Sequence, residues 1–371
     1  MSADEAELRE LRAAVRDFME AKSPEEAVRK LMESEPRFDA AVWAQAAHQL
    51  RLPGLTIPEE YGGDGFGLVE LGVVMEEMGR ALLCAPFFAT VVLAAQALLA
   101  SGDGEACARH LPGIADGRTT ATLAVAEDDG TWDPALITVR ALPGGDGGWK
   151  LSGRKCFVVD GTTADLVLVV ARTVAGPSLF AVDRSATGLS AEPLRTLDAT
   201  RAMARLTFDT VPATLVGTDG AGGRIMARVL DVASVALAAE QSGGARRCLE
   251  MSAEYARTRH QFGRPIGSFQ AVKHKCADLL VQVELAEASS REAARLAAED
   301  APDFPVAAVV AHACCSRAYM VAAMENIQVH GGIGFTWEHP AHLYFRRAKS
   351  SQLLFGGPAV YHERLLDRLG I

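Results

Sequence analysis

The spacing of apolar residues along the 371-residue chain calls for an α+β fold in which two helical segments flank an antiparallel β segment. Residues 1–119 and 218–371 carry apolar side chains at helical period, whereas residues 120–217 carry short alternating or β-branched runs separated by Gly, Pro and Asp. Strands therefore do not alternate with helices, and neither a GxGxxG nor a P-loop pattern occurs, so a parallel nucleotide-binding sheet is not expected.

The first segment opens on MSADEAELRELRAAVRDFMEA, an acidic amphipathic stretch with Leu8, Leu11, Val15 and Phe18 on one helical face. It lacks the basic end and apolar centre of a signal peptide, which points to the cytoplasm. Breaks fall at Pro53-Gly54, at Tyr61 to Gly65 and at Pro112-Gly113. The apolar stretch from Phe87 to Ala100 is interrupted by Thr90 and Gln96 and is shorter than the roughly 20 residues that span a bilayer, so no membrane partner is expected.

In the middle segment Ala202, Ala204, Leu206 and Phe208 alternate with Arg205, Thr207 and Asp209, the pattern of a sheet with one wet face. In the last segment Val272, Cys276, Leu279, Val283 and Ala286 recur at 4-3-4-3 spacing, one face of a bundle helix. The formal charge of −10 offers no field for a polyanion, which argues against nucleic acid. Seven cysteines without a CxxC pair read as reduced packing residues. His339 and His342 flank Pro340 with no HExxH, a surface pair rather than a zinc site, so no metal is expected; no GxSxG marks a hydrolase nucleophile.

Two stretches place charges, aromatics and glycines where a bundle needs none. In Tyr255 to Gln270 a helix ends near Arg259, the chain turns through Gly263-Arg264-Pro265, and Gly267 or Ser268 is placed to cap the next helix. An inter-helix loop accounts for the glycines and the proline. It does not account for Gln261, Phe262, Phe269 and Gln270 around a guanidinium, a set suited to an aromatic ring and a diphosphate. In Glu325 to Pro340 a helix ends at Gly331-Gly332, which frees backbone N–H groups in a glycine-rich turn, although glycine also serves as a plain helix stop.

With both stretches in view the chain resembles the acyl-CoA dehydrogenase family along essentially its whole length, most closely over residues 255–278 and 325–349. The resemblance implies FAD as cofactor, an acyl-CoA thioester as substrate, an electron-transfer protein as acceptor and assembly into a tetramer. It also implies that the two stretches reach across a subunit interface to the adenosine diphosphate of a neighbour's FAD. Carried over by position, Arg259, Gln261, Phe262, Phe269, Gln270, Gln328, Gly331 and Gly332 would make those contacts. Lys155 to Gly161 matches the strand beside the flavin, with Phe157 where a tryptophan often sits and Val159 where a hydroxyl residue often stands. The tail from Phe355 to Arg364 is similar to the branch that degrades steroid side chains, whose members often pair two kinds of subunit.

In the family a glutamate removes the α-proton while hydride leaves the β-carbon for the flavin. One family position for that base, counted from Arg346-Arg347-Ala348-Lys349, holds Phe355; the other, counted back from Tyr255, holds Ala233. The nearest carboxylate on the same face of that helix is Glu240, about 10 Å further along. It is the candidate base, and a polar contact inside the bundle is its other role. Ala124 to Asp128 also lacks the threonine that usually precedes the glutamate. Three readings follow: a subunit sharing FAD with a glutamate-bearing partner, a self-sufficient homo-oligomeric dehydrogenase, or a non-catalytic acyl-CoA-binding scaffold.

Overall fold

The computed structural model describes residues 4–145 and 147–371. Its helices are α1 (Glu5–Lys22), α2 (Glu25–Met32), α3 (Ala40–Leu50), α4 (Leu68–Arg80), α5 (Gln96–Ser101), α6 (Gly104–Ala115), α7 (Gly222–Thr258), α8 (Gln270–Ala298), α9 (Phe304–His330), α10 (Ala341–Leu353) and α11 (Pro358–Leu369). The strands are β1 (Ala121–Ala124), β2 (Arg140–Pro143), β3 (Trp149–Val159), β4 (Leu166–Arg172), β5 (Pro177–Asp183), β6 (Leu189–Pro193), β7 (Met203–Val216) and a short pair, β8 (His260–Gln261) with β9 (Arg264–Pro265). The order is helical, then β, then helical.

The chain divides into two compact units. One comprises Lys30–Gly67 and Cys84–Ala233. Its seven-stranded sheet is mainly antiparallel, with β7 bonded to β3, β5 and β6, and it adds two parallel pairings, of β1 and β2 with β4. Six of the seven β4 residues are buried, as a continuous β-branched run requires when both faces are covered. Along β7 Ala204, Leu206 and Phe208 are buried while Arg205 and Thr207 are not, the alternation read from the sequence; Ala202, just ahead of the strand, is only half-buried, and Met203 is buried out of phase. The apolar stretch before α5 is a π-helical segment, Phe88–Ala95, buried throughout. Thr90 interrupts it for a reason: its hydroxyl donates to Ala121 O and accepts from Ala121 N–H, docking the segment on β1.

The other unit comprises residues 4–29, Leu68–Leu83 and Ser234–Ile371. Pro305 in its first turn starts α9, against which α8, α10 and α11 pack. With its continuation to Phe335, α9 is long and apolar enough to cross a membrane, unlike the shorter Phe87–Ala100 stretch; 56% of its most apolar window is buried inside the protein, as in a core helix of the bundle. Arg12 reaches Glu76 at 2.5 Å and Arg16 reaches Glu77 at 2.7 Å, fixing α1 to α4. Helices α4 and α7 cross with backbones almost touching. A Cβ on Gly79 would stand 2.0 Å from Glu240 O, and one on Gly243 would stand 1.9 Å from Glu76 O, so only glycine permits this crossing.

Candidate active site

The arginine stretch folds as a hairpin at the end of α7. Arg259 N–H closes the last helical turn on Tyr255 O, β8 pairs with β9, and the two turn residues Phe262 (φ 53°) and Gly263 (φ 77°) both occupy the left-handed region that a two-residue primed turn demands. Glycine adopts it freely. Phenylalanine does so against a steric cost, and its ring is 92% exposed. The Arg264 guanidinium lies 4.1 Å from the Phe269 ring centre, and Phe262 meets Phe269 edge to face at 6.2 Å. Arg259, Gln261 and Gln270 are exposed beside them. The next helix starts from Phe269 at the N-cap position without a side-chain cap, so neither Gly267 nor Ser268 caps it. The backbone enters α8 from an extended residue that keeps its ring on the hairpin instead.

The glycine turn closes α9. Gly331 (φ 63°) follows His330 and returns its N–H to Gln328 O and Ile327 O. A Cβ on Gly331 or Gly332 would meet nothing within 4 Å, and Gln328, Phe335 and Trp337 are exposed around them. The Tyr255 ring stacks on His330 at 4.3 Å, which ties the root of the hairpin to the end of α9. The eight residues assigned by resemblance thus fall on two neighbouring, outward-facing segments of one unit. A guanidinium, three side-chain amides, open glycine backbone and aromatic faces are together a donor set for a diphosphate bearing an aromatic base.

The strand read as lying beside the flavin belongs to the other unit. A register shift between Lys155 and Val158 breaks the pairing of β3 with β7, and inside it Phe157 adopts φ 55° with its ring 38% exposed. Beneath the bulge Lys155 is fully buried, its ammonium donating to Val125 O at 2.7 Å and to Glu127 at 3.0 Å. Burial drives that lysine down to about 8 against the opposing pull of Glu127. On Glu127 burial acts upward, but hydrogen bonds from Thr138 and Val139 and the nearby ammonium prevail and hold its carboxyl below the usual range.

Family models of the acyl-CoA dehydrogenase N-terminal, middle and C-terminal domains match residues 5–118, 122–211 and 220–370. The chain belongs to the acyl-CoA dehydrogenase family. It is accordingly an FAD-dependent oxidoreductase of the kind that acts on CH–CH bonds of acyl-CoA thioesters. It is 37% identical over 356 residues to the acyl-CoA dehydrogenase IpdE2 of Mycobacterium tuberculosis, covering 96% of this chain and 95% of that protein. Among solved structures it is similar to a Tcur3481-Tcur3483 steroid acyl-CoA dehydrogenase variant, with a TM-score of 0.89, 37% identity and 98% of both chains covered. It is also similar to the ChsE4-ChsE5 complex of Mycobacterium tuberculosis, with a TM-score of 0.89, 31% identity and 99% and 98% coverage.

For an acyl-CoA dehydrogenase the surroundings of the two base positions are unusual. Ala233 is fully buried, and Phe355 is buried with φ 67°. Glu240 is buried as well, and its carboxylate meets the Arg347 guanidinium at 3.3 Å, with 5% and 4% of the two side chains exposed. The pair gives Glu240 the polar contact inside the bundle that was its other reading. Three groupings escaped the sequence: Arg347 with Glu240, Lys155 with Glu127, and Tyr255 with His330 and His339. Only the second left a local signal, a lysine inside a strand flanked by buried positions. His339 and His342 are half-buried rather than at the surface, His342 meets Trp337 edge to face at 4.4 Å, and among the described residues no three His, Cys, Asp or Glu side chains gather as metal ligands. A cleft of about 330 Å³ between α1, α4, α7 and α10 is lined by Arg16 and Arg80, which pair with Glu77 and Glu250, and it takes no part in the arrangement above.

Proposed function

We propose that this chain is one subunit of a two-component acyl-CoA dehydrogenase, that it helps hold an FAD shared with a glutamate-bearing second subunit, and that the pair desaturates a CoA thioester with a bulky, steroid-like acyl group. One contrast carries the reading. The segments suited to a neighbour's adenosine diphosphate are complete and outward-facing, whereas both positions for this chain's own base are buried and apolar. That a steroid acyl-CoA dehydrogenase and a complex of two differently named chains are among the similar structures supports the substrate class and the second subunit.

In this reading Arg259, Gln261, Gln270 and Gln328 bind the diphosphate, Phe262 and Phe269 flank the adenine, and Gly331 and Gly332 admit it by carrying no side chain. Phe157 stands on the strand matched to the one beside the flavin, with the Lys155–Glu127 ion pair under its bulge. Bound FAD supplies the hydride acceptor. The partner's glutamate takes the α-proton, because an ion-paired Glu240 offers no free carboxylate. An electron-transfer protein reoxidises the pair, which resides in the cytoplasm as a tetramer, and the domain map is 1–119, 120–217 and 218–371.

The test is to co-express the chain with an adjacent acyl-CoA dehydrogenase-like subunit and compare two variants. Arg259→Ala is expected to strip FAD from the complex. Glu240→Gln is expected to leave turnover per FAD unchanged. Loss of turnover in Glu240→Gln with FAD content intact would instead make Glu240 the base and the chain self-sufficient.

A further inference from the structure

The Tyr255–His330 contact continues into a second one. His330 stacks on His339 at 4.1 Å, so three rings in series join the root of the hairpin, the residue before Gly331 and the segment leading into α10. The hydrogen bonds fix the proton on each imidazole. His330 Nδ1 faces Asn326 O at 2.8 Å, and since a carbonyl only accepts, Nδ1 carries hydrogen. His339 Nδ1 faces Ala341 N–H at 3.2 Å, and since that group only donates, Nδ1 must be bare.

His339 is therefore committed to the neutral form. A proton on its Nδ1 would displace the bond to the first residue of α10. It would also place a cation at the positive end of that helix and against a second imidazole.

We propose that His330 and His339 are positioning residues for the cofactor-holding turn: neutral, they lock Gly331–Gly332 against the hairpin through Tyr255, and charged in acid, they release it. The proposal rests on the reading of those segments as the holders of FAD. The net effect of the surroundings runs the same way, although the bond to Asn326 O opposes it at His330. Burial lowers both histidines; for His339 the His330 and Arg29 charges add to this while Glu25 opposes it, and Arg29 and Arg346 act likewise on His342 alongside. With the native value below the free one, the unfolded or released state takes up the proton first, so the lock weakens as pH falls below the ordinary histidine value of about 6.5.

The test compares the FAD-loaded assembly of wild type with that of His339→Asn, whose amide oxygen still accepts from Ala341 N–H but does not titrate. FAD retention and hydrogen exchange over residues 328–343, corrected for intrinsic rates, are read at about pH 7.5 and about pH 5, on either side of the ordinary histidine value. Wild type is expected to lose about tenfold or more in FAD affinity and in protection at the acid pH, and the variant to keep both, a tenfold change being about one pH unit of linkage. Equal acid sensitivity in the two proteins, or exchange that does not respond to pH in wild type, overturns the proposal. Exchange that responds while FAD retention does not also overturns it, because the lock would then hold nothing that matters to the cofactor. If Arg259→Ala and Gly331→Val leave FAD retention intact at both pH values, the reading of these segments fails and the proposal fails with it.

Discussion

Glu240 and Arg347, 107 residues apart in sequence, face each other at 3.3 Å inside the helical unit, almost wholly removed from water. Breaking such a pair from one side strands a buried charge, at a cost of about 3–5 kcal/mol, while replacing both partners with apolar residues of similar volume is close to neutral. Glu240→Gln is therefore expected to lower stability in urea unfolding, and Glu240→Leu with Arg347→Met to recover most of the loss.

The α4–α7 crossing admits no methyl group at its two glycines. Gly79→Ala and Gly243→Ala are each expected to cost about 1–3 kcal/mol or more, as overpacking does. Because the two sites share one crossing, the double variant should cost less than the sum, which a double-mutant cycle in urea would reveal.

Lys155 ties the fold of the β unit to pH. Its native value of about 8 lies below the 10.5 of a free lysine, so between those values the unfolded chain holds more protons than the native one. Stability should rise as pH climbs through that window, by at most about 1.4 kcal/mol per pH unit. Lys155→Met is expected to flatten that rise in unfolding curves collected across the range.

Exposed side chains of the hairpin carry little of the fold. Arg259→Ala and Gln270→Ala should leave the melting temperature of the chain nearly unchanged, yet reduce FAD affinity of the assembly by about 10–100-fold, as the loss of a charge-assisted contact does. Titration of FAD into the stripped complex measures it.

The architecture was legible because helical and alternating periods write themselves into neighbouring residues: β7 from Ala204 to Phe208 and the α8 face at Leu279, Val283 and Ala286 are buried as read, while Val272 and Cys276, nearer the start of α8, are half-buried. The hairpin and the glycine turn were legible for a related reason, since Gly263, Pro265 and Gly331 mark backbone turns locally. What escaped are relationships between distant residues. Nothing near Glu240 announces Arg347, nothing near Tyr255 announces His330, and the close approach of α4 to α7 depends on Gly79 and Gly243 meeting in space. The start of α8 escaped for another reason: a backbone entry without a side-chain cap leaves Gly267 and Ser268 looking like caps.

The central claim is that this chain and a glutamate-bearing partner make one active site. The most direct test is the visible spectrum of the purified chain, alone and co-expressed with an adjacent acyl-CoA dehydrogenase-like subunit, followed by anaerobic addition of a steroid-CoA thioester. Flavin bands at about 370 and about 450 nm are expected only in the complex, bleached by the thioester. Stoichiometric flavin on the lone chain, bleached by the thioester with full turnover, would contradict it.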